Sequence, residues 1–340
     1  MKKTTVLLIN LGTPDSPSVA DVRSYLGQFL NDPRVVDLPW LLRKILVNLI
    51  IVPFRAPKSA KIYQKLWTAR GSPIIFHGEK VKALLQDKLG SGYSVELAMR
   101  YKNPAIEEVL ERIRKSNPDR IIVLPLFPQY ASASTGSALQ AVMDVVRKWW
   151  VIPEISLISQ YWDHPGFISA LVARGMEYDW HDYDHVLFSY HGLPERQVDK
   201  IYDEGLCQDH DCEHQITDDN KYCYKAACYG TTRLLAHGLG IPADNYTVCF
   251  QSRLDKNWLQ PFSDRVIVEQ ARKGARKLLV FSPAFVADCL ETTIEIGEEY
   301  QLLFEQHGGE KVQLVASLND HPLWIDALED LVINGVGSNF

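Results

Sequence analysis

Short apolar runs rich in Val, Ile and Leu alternate with stretches of helical periodicity along this 340-residue chain. Strands covered on both faces read as continuous apolar runs, so the alternation predicts parallel sheets wrapped by helices. In the first half the runs fall at Thr5–Asn10, Ser94–Ala98, Arg120–Leu124 and Ile155–Ser159. In the second half they fall at His185–Ser189, Tyr246–Phe250, Lys277–Phe281 and Val312–Ala316. Four and four predict two similar α/β domains. The boundary is expected near residue 155, giving 1–155 and 156–321, with the helical stretch 322–340 rejoining the first domain.

In open α/β sheets a ligand lies outside the carboxyl ends of the strands. That rule selects Asn10-Leu11-Gly12-Thr13-Pro14, Arg100-Tyr101, Pro128-Gln129-Tyr130, His191, Gln251-Ser252-Arg253 and Pro283. These polar and aromatic groups are expected to converge on one interdomain cleft.

Composition narrows the chemistry. The chain is 46% hydrophobic and 23% charged, with a net charge of −6. It has the apolar content for two cores but not the clustered Lys and Arg that a phosphate backbone requires, so no nucleic acid is expected as a partner. The apolar run after Met1-Lys2-Lys3 is too short for a secretory signal and reads as a first buried strand. No stretch reaches the roughly 18 uncharged apolar residues that cross a bilayer. Leu38–Val52 comes nearest, interrupted by Arg43, Lys44 and Asn48. A cytoplasmic protein is expected.

His191 follows a predicted strand and precedes Gly192 and Pro194. An imidazole on such a turn can accept or relay protons near neutral pH; the plain alternative is a turn histidine bonded to local backbone. Downstream, Asp288, Glu291, Glu295 and then Glu298 or Glu299 are spaced by three and four. On a helix that spacing stacks them along one face, and the mutual repulsion makes the row receptive to a divalent cation or to protons. A solvated acidic face is the plain alternative. Against it stand Val286, Cys289, Leu290 and Ile294, which flank the acids as if the helix were mostly buried.

Cys207-x4-Cys212-x10-Cys223-x4-Cys228 supplies four soft ligands in one short polar segment. That suits a tetrahedral zinc site or an iron–sulfur cluster, and His210 and His214 keep a mixed zinc site open. Reduced thiols without metal are the plain alternative. Cys249 and Cys289 lie in apolar contexts, as buried thiols do.

Taken in order, these segments resemble the ferrochelatases over nearly the whole chain. The resemblance runs through Asn10-Leu11-Gly12-Thr13-Pro14, Gly71-Ser72-Pro73, Met99-Arg100-Tyr101, Leu124-Pro125-Leu126-Phe127-Pro128-Gln129-Tyr130 and Ser134-Thr135-Gly136-Ser137. It continues through the His191 segment, Gln251-Ser252-Arg253, Trp258-Leu259-Gln260-Pro261 and Asp288-Cys289-Leu290-Glu291-Thr292. The resemblance implies two Rossmann-like domains, each a four-stranded parallel sheet flanked by helices, with the active site in the interdomain cleft. It implies insertion of Fe2+ into protoporphyrin IX, with His191 and Glu291 as the catalytic pair. Asp288, Glu295 and Glu299 would continue the acidic row, Arg100 would meet a propionate, and Tyr130 and Trp258 would line the porphyrin. One departure is visible: Leu254-Asp255-Lys256-Asn257 stands where many relatives carry Gly-Pro, which alters the loop that carries Trp258.

The cysteine segment resembles a bacterial subgroup whose internal cysteines hold a [2Fe-2S] cluster, here Cys207, Cys212, Cys223 and Cys228. The resemblance also turns Leu38–Val52 from a plain core helix into an apolar lip for peripheral membrane contact, with Trp40, Arg43 and Lys44 at the interface. Two rivals stand beside this reading. A chelatase for coproporphyrin or another tetrapyrrole should need more cationic partners than Arg100. A non-catalytic haem or metal sensor leaves His191 and the acidic row unexplained.

Overall fold

In the computed structural model, which describes residues 3–335, the apolar runs form eight parallel strands in two sheets. The first holds β1 (Thr4–Gly12), β2 (Tyr93–Tyr101), β3 (Arg120–Pro125) and β4 (Glu154–Leu157), in the order β2-β1-β3-β4. The second holds β5 (His185–His191), β6 (Tyr246–Gln251), β7 (Lys277–Phe281) and β8 (Lys311–Leu314), in the order β6-β5-β7-β8. The expected fold class is borne out, and the second sheet repeats the winding of the first.

The chain forms two compact units. One comprises residues 3–127, 132–160 and 328–335; the other comprises 128–131 and 161–327. Residues 336–340 of the expected C-terminal segment lie outside the described residues.

Helices of the first unit are α1 (Val19–Leu30), α2 (Trp40–Ile45), α3 (Val52–Leu66), α4 (Pro73–Leu89), α5 (Ile106–Lys115) and α6 (Ser137–Val146). α1 starts where the Ser18 side chain accepts from the Asp21 amide, satisfying a donor that the first turn leaves open. On α5, Ile106, Val109, Leu110 and Ile113 form a stripe at helical spacing, buried with Leu7, Ile9, Ile121 and Val123 of the sheet. Each such side chain contributes about 1.5–3 kcal/mol on burial, so an Asp at Val109 would disrupt this layer.

The second unit carries α7 (Pro165–Gly175), α8 (Glu195–Val198), α9 (Tyr224–Leu239), α10 (Ser263–Arg272) and α11 (Gln301–Gln306); α12 (Pro322–Asn334) is divided between the units. Its core joins Leu187, Cys249 and Val280 of the sheet to Ile267, Ile296 and Phe304 of the helices.

Three stretches wind more widely, as π-helix with i→i+5 bonding: Leu46–Ile51, Ser132–Gly136 and Leu290–Tyr300. Each falls in a segment that the sequence singles out. For the acidic row this corrects the expected geometry. Spacings of three and four assume 3.6 residues per turn, whereas in Leu290–Tyr300 residues four and five apart share a face. Asp288 lies before the helix, next to the extended Cys289 that caps it.

Several strands run further than their apolar cores. β1 ends at Gly12, β2 at Tyr101, β5 at His191 and β6 at Gln251, so the chemistry-bearing residues are themselves the last residues of strands. The winding then selects among them. Connections leave β5 towards β6 on one side and return to β7 on the other, which puts the topological switch point at the carboxyl ends of β5 and β7. His191 ends β5, and the segment after β7 leads into the Leu290–Tyr300 helix.

Candidate functional site

His191 is half-buried at the end of β5, opposite Gln251 of β6. Its Nδ1 lies 2.6 Å from the Gly192 carbonyl. A carbonyl only accepts, so Nδ1 carries a proton, and in the neutral ring Nε2 keeps the lone pair, the tautomer of a proton acceptor. Gly192 donates its amide to the Gln251 carbonyl at 2.8 Å. A Cβ on Gly192 would stand 2.7 Å from that oxygen and 3.3 Å from Trp258 Cε3, so the turn requires glycine.

Gln251 joins the histidine turn to the acidic helix. It is 1% exposed, and its carboxamide accepts from Ser189 Oγ at 2.8 Å. The same carboxamide donates to the Glu291 carbonyl at 2.8 Å and to Glu295 Oε2 at 3.0 Å. Gln251 thus meets the His191 turn through its backbone and Glu291 through its side chain. Glu295 also accepts from the Ser252 amide at 2.9 Å, Ser252 Oγ at 2.6 Å and Tyr300 Oη at 3.0 Å. Asp288 is held separately: its amide donates to Asn319 Oδ1 at 2.9 Å, and Asn319 Nδ2 donates to its carboxylate at 3.0 Å. Glu299 is exposed.

The remaining expected residues fall in three places. Trp258 packs on Gly192 and is fixed by the Leu259 amide, which donates to the Leu193 carbonyl at 2.9 Å. Tyr130 meets the ring of Tyr222 at 5.8 Å, in the cysteine segment. Arg100 belongs to the first unit, where Nη2 donates to Asp32 Oδ2 at 2.6 Å and Nε to Ser137 Oγ at 2.6 Å. Sequence reasoning missed Asp32, although a lone acid after the apolar end of α1 was the available signal. It also missed Tyr300 and Asn319, whose partners lie on the acidic segment only after folding.

All six cysteines are buried and none is bridged. Cys207, Cys212 and Cys223 form a triad with Sγ separations of 3.6, 3.7 and 3.9 Å. Tyr202 Oη lies 3.3 Å and Asn220 Nδ2 3.6 Å from Cys212 Sγ. Hydrogen bonding with Cys207 and Cys223 holds the Cys212 thiol below its ordinary value. Buried soft sulfurs so close together fit a thiolate-bound metal. Cys228 is not part of this triad; it is fully buried on α9, next to Tyr224. His210 stacks on Tyr202 at 4.2 Å, while His214 pairs with Asp211 at 2.6 Å.

The apolar segment is partly corrected. Trp40, Leu41, Leu42, Leu49 and Phe54 are all more than half exposed, as an apolar lip requires. Arg43 is buried instead, donating to the Leu38 carbonyl at 2.8 Å, so it does not offer its charge at a surface. Among the described residues no helix is long and apolar enough to cross a membrane.

Known proteins give this geometry a context. A family model described as Ferrochelatase matches residues 3–336. The ferrochelatase of Legionella pneumophila (strain Lens) is 43% identical over 328 residues, covering 96% of this chain and 98% of that protein. The ferrochelatase of Coxiella burnetii (strain Dugway 5J108-111) is 42% identical over 330 residues, covering 96% and 92%. Among solved structures, SirB from Bacillus subtilis with Fe3+ has a TM-score of 0.55 at 14% identity, covering 98% of this chain and 96% of that one, a likeness of fold alone. The family match takes in both sheets, the histidine turn and the acidic helix alike, and with relatives this similar at nearly full length the chain belongs to the ferrochelatase family.

Proposed function

We propose that the protein inserts Fe2+ into protoporphyrin IX with release of two protons, the last step of haem formation. The observation that carries this reading is the His191 tautomer. Its Nδ1–H is committed to the Gly192 carbonyl, which leaves Nε2 as a proton acceptor, and Gln251 ties that turn to the backbone of Glu291. As iron enters, two pyrrole N–H bonds break and iron–nitrogen bonds form. His191 Nε2 accepts the two pyrrole protons in turn, giving up the first before it takes the second, while Glu291, with Asp288 and Glu299, passes protons out and ferrous iron in. Binding the macrocycle bent exposes its nitrogen lone pairs, at about 1–5 kcal/mol of strain offset by contacts to the rest of the ring.

Arg100 is read as a partner for one propionate. Asp32 and Ser137 engage its Nη2 and Nε, so the carboxylate would meet Nη1. Tyr130 and Trp258 are read as apolar contacts of the ring. Anaerobic metallation of proto- and coproporphyrin in parallel tests the substrate, and faster metallation of coproporphyrin would replace it. His191→Ala should lower turnover by about a hundredfold or more while porphyrin binding persists. Near-normal turnover in that variant would overturn the reading.

Cys207, Cys212, Cys223 and Cys228 are read as the ligands of a [2Fe-2S] cluster, whose bound chemistry would be one-electron redox at a structural staple. Porphyrin metallation by ferrous iron transfers no net electrons, so these residues hold the segment rather than act in turnover. A second reading rests on the triad itself. In a tetrahedral site with metal–sulfur bonds of about 2.3 Å the sulfurs are about 3.8 Å apart, which suits a single zinc ion. The separations of 3.6 to 3.9 Å match that edge. Iron, acid-labile sulfide and zinc measured on anaerobically purified protein decide between them.

The exposed apolar side chains of residues 40–54 are read as a shallow contact with a membrane surface, making this a peripheral protein of the cytoplasmic face.

A further inference from the structure

Glu295 is placed differently from the other acids of its row. Its two carboxylate oxygens accept four hydrogen bonds, two each. Gln251 Nε2 at 3.0 Å and Ser252 Oγ at 2.6 Å reach Oε2, while the Ser252 amide at 2.9 Å and Tyr300 Oη at 3.0 Å reach Oε1. A carboxylate has about four lone-pair sites, so its acceptor capacity is filled. Each donor is itself constrained. Gln251 is anchored through Ser189, which in turn meets Ser263 Oγ at 2.9 Å. Tyr300 is buried five residues further along the same π-helix. Ser252 adopts φ 62°, a left-handed conformation uncommon for a side-chain-bearing residue and kept only where the surroundings determine it.

We infer that Glu295 is a positioning residue rather than a station for iron or protons: Gln251, Ser252 and Tyr300 clamp it, and the clamp holds the π-helix so that Glu291 faces His191. Two features support the direction of this inference. The donor that grips Glu295, Gln251 Nε2, also grips the Glu291 carbonyl at 2.8 Å, so helix and side chain are held by one group. That group belongs to the residue paired with His191 across β5 and β6. A metal ion at Glu295 would have to displace charge-assisted hydrogen bonds from a preorganised set, whereas Gln251 grips Glu291 through its backbone carbonyl and not through its carboxylate.

The inference rests on the metal-insertion reading above, and its test separates the two. Tyr300→Phe and Ser252→Gly each remove one hydroxyl donor; the glycine keeps the amide and accepts the left-handed backbone. In anaerobic iron insertion both variants, and Glu295→Gln, should lose about tenfold in kcat, with the KM for iron within about twofold of wild type. Amide exchange across Leu290–Tyr300 should quicken in the same variants, a readout that holds whether or not the protein metallates porphyrin. The inference fails if Tyr300→Phe lowers the KM for iron, or if Glu295→Gln raises it severalfold at constant kcat, because either makes Glu295 a ligand. It fails equally if all three variants keep wild-type kcat and exchange. A wild-type protein that does not insert iron would instead sink the functional reading, leaving the exchange result to judge the clamp.

Discussion

Arg100 Nη2 lies 2.6 Å from Asp32 Oδ2, an oxygen that also accepts from Ser137 Oγ at 2.5 Å and Tyr101 Oη at 2.9 Å. The Asp32 side chain is 3% exposed and that of Arg100 24%. Burial pushes the Asp32 carboxyl up, but the Ser137 hydroxyl, the Arg34 amide, the Arg100 charge and the Tyr101 hydroxyl together hold it below its ordinary value. A carboxyl depressed by folding stabilises the protein above its unfolded value, near pH 3.9, and that contribution is lost as the pH falls through the folded value. Asp32→Asn should therefore cost about 3 kcal/mol at pH 7, since it leaves Arg100 without its counter-charge. Urea melts of both proteins from pH 7 to pH 3 should show a constant gap that narrows only below about pH 4. A gap unchanged down to pH 3 would contradict the charge pairing.

Gly192→Ala tests the histidine turn. Its new Cβ would sit 2.7 Å from the backbone oxygen of Gln251, which cannot swing aside as a flexible side chain could. The turn must shift, at about 1–3 kcal/mol. Turnover should fall because His191 moves with it, and thermal melting with iron insertion measured on the same sample checks both effects.

The two readings of the cysteine segment part at Cys228. Cys223→Ser should strip bound metal under either reading, because Cys223 belongs to the triad. Cys228→Ser should also lose metal if a [2Fe-2S] cluster is bound, but should retain one zinc per chain if the triad holds a single ion. Elemental analysis with sulfide determination distinguishes the outcomes.

Trp40 is 65% exposed, Leu49 69% and Phe54 74%. A polar residue at any one of them should weaken binding to phosphatidylglycerol-containing vesicles by about ten- to a hundredfold, given about 1.5–3 kcal/mol for burying such a side chain. Co-sedimentation provides the measurement. Unchanged binding in the triple Ser variant would remove the membrane reading.

The strands were legible because a parallel sheet covered on both faces demands uninterrupted apolar runs, and Val6–Ile9 are wholly buried. His191 was legible because a strand, a glycine and a proline fix its place on the fold. Less visible was the winding of the acidic helix, since spacings of three and four look the same whether the chain then closes α or π turns. Arg43 misled for another reason: its charge suggests a surface, yet it is buried with Nη1 donating to the Val36 and Leu38 carbonyls. Asp32 and Tyr300 act through partners 68 and 5 residues away in the chain, and only the folded backbone brings the first of these pairs together.

Because all six cysteines are buried and unbridged, the native chain offers a thiol-reactive dye almost nothing to attack. Labelling then becomes a clock. Modification of Cys207, Cys212 and Cys223 would time the opening of one polar segment, and Cys249, locked in the core of the second unit, would time its full unfolding. The same chain thus carries, without any engineered probe, separate reporters for local and global loss of structure.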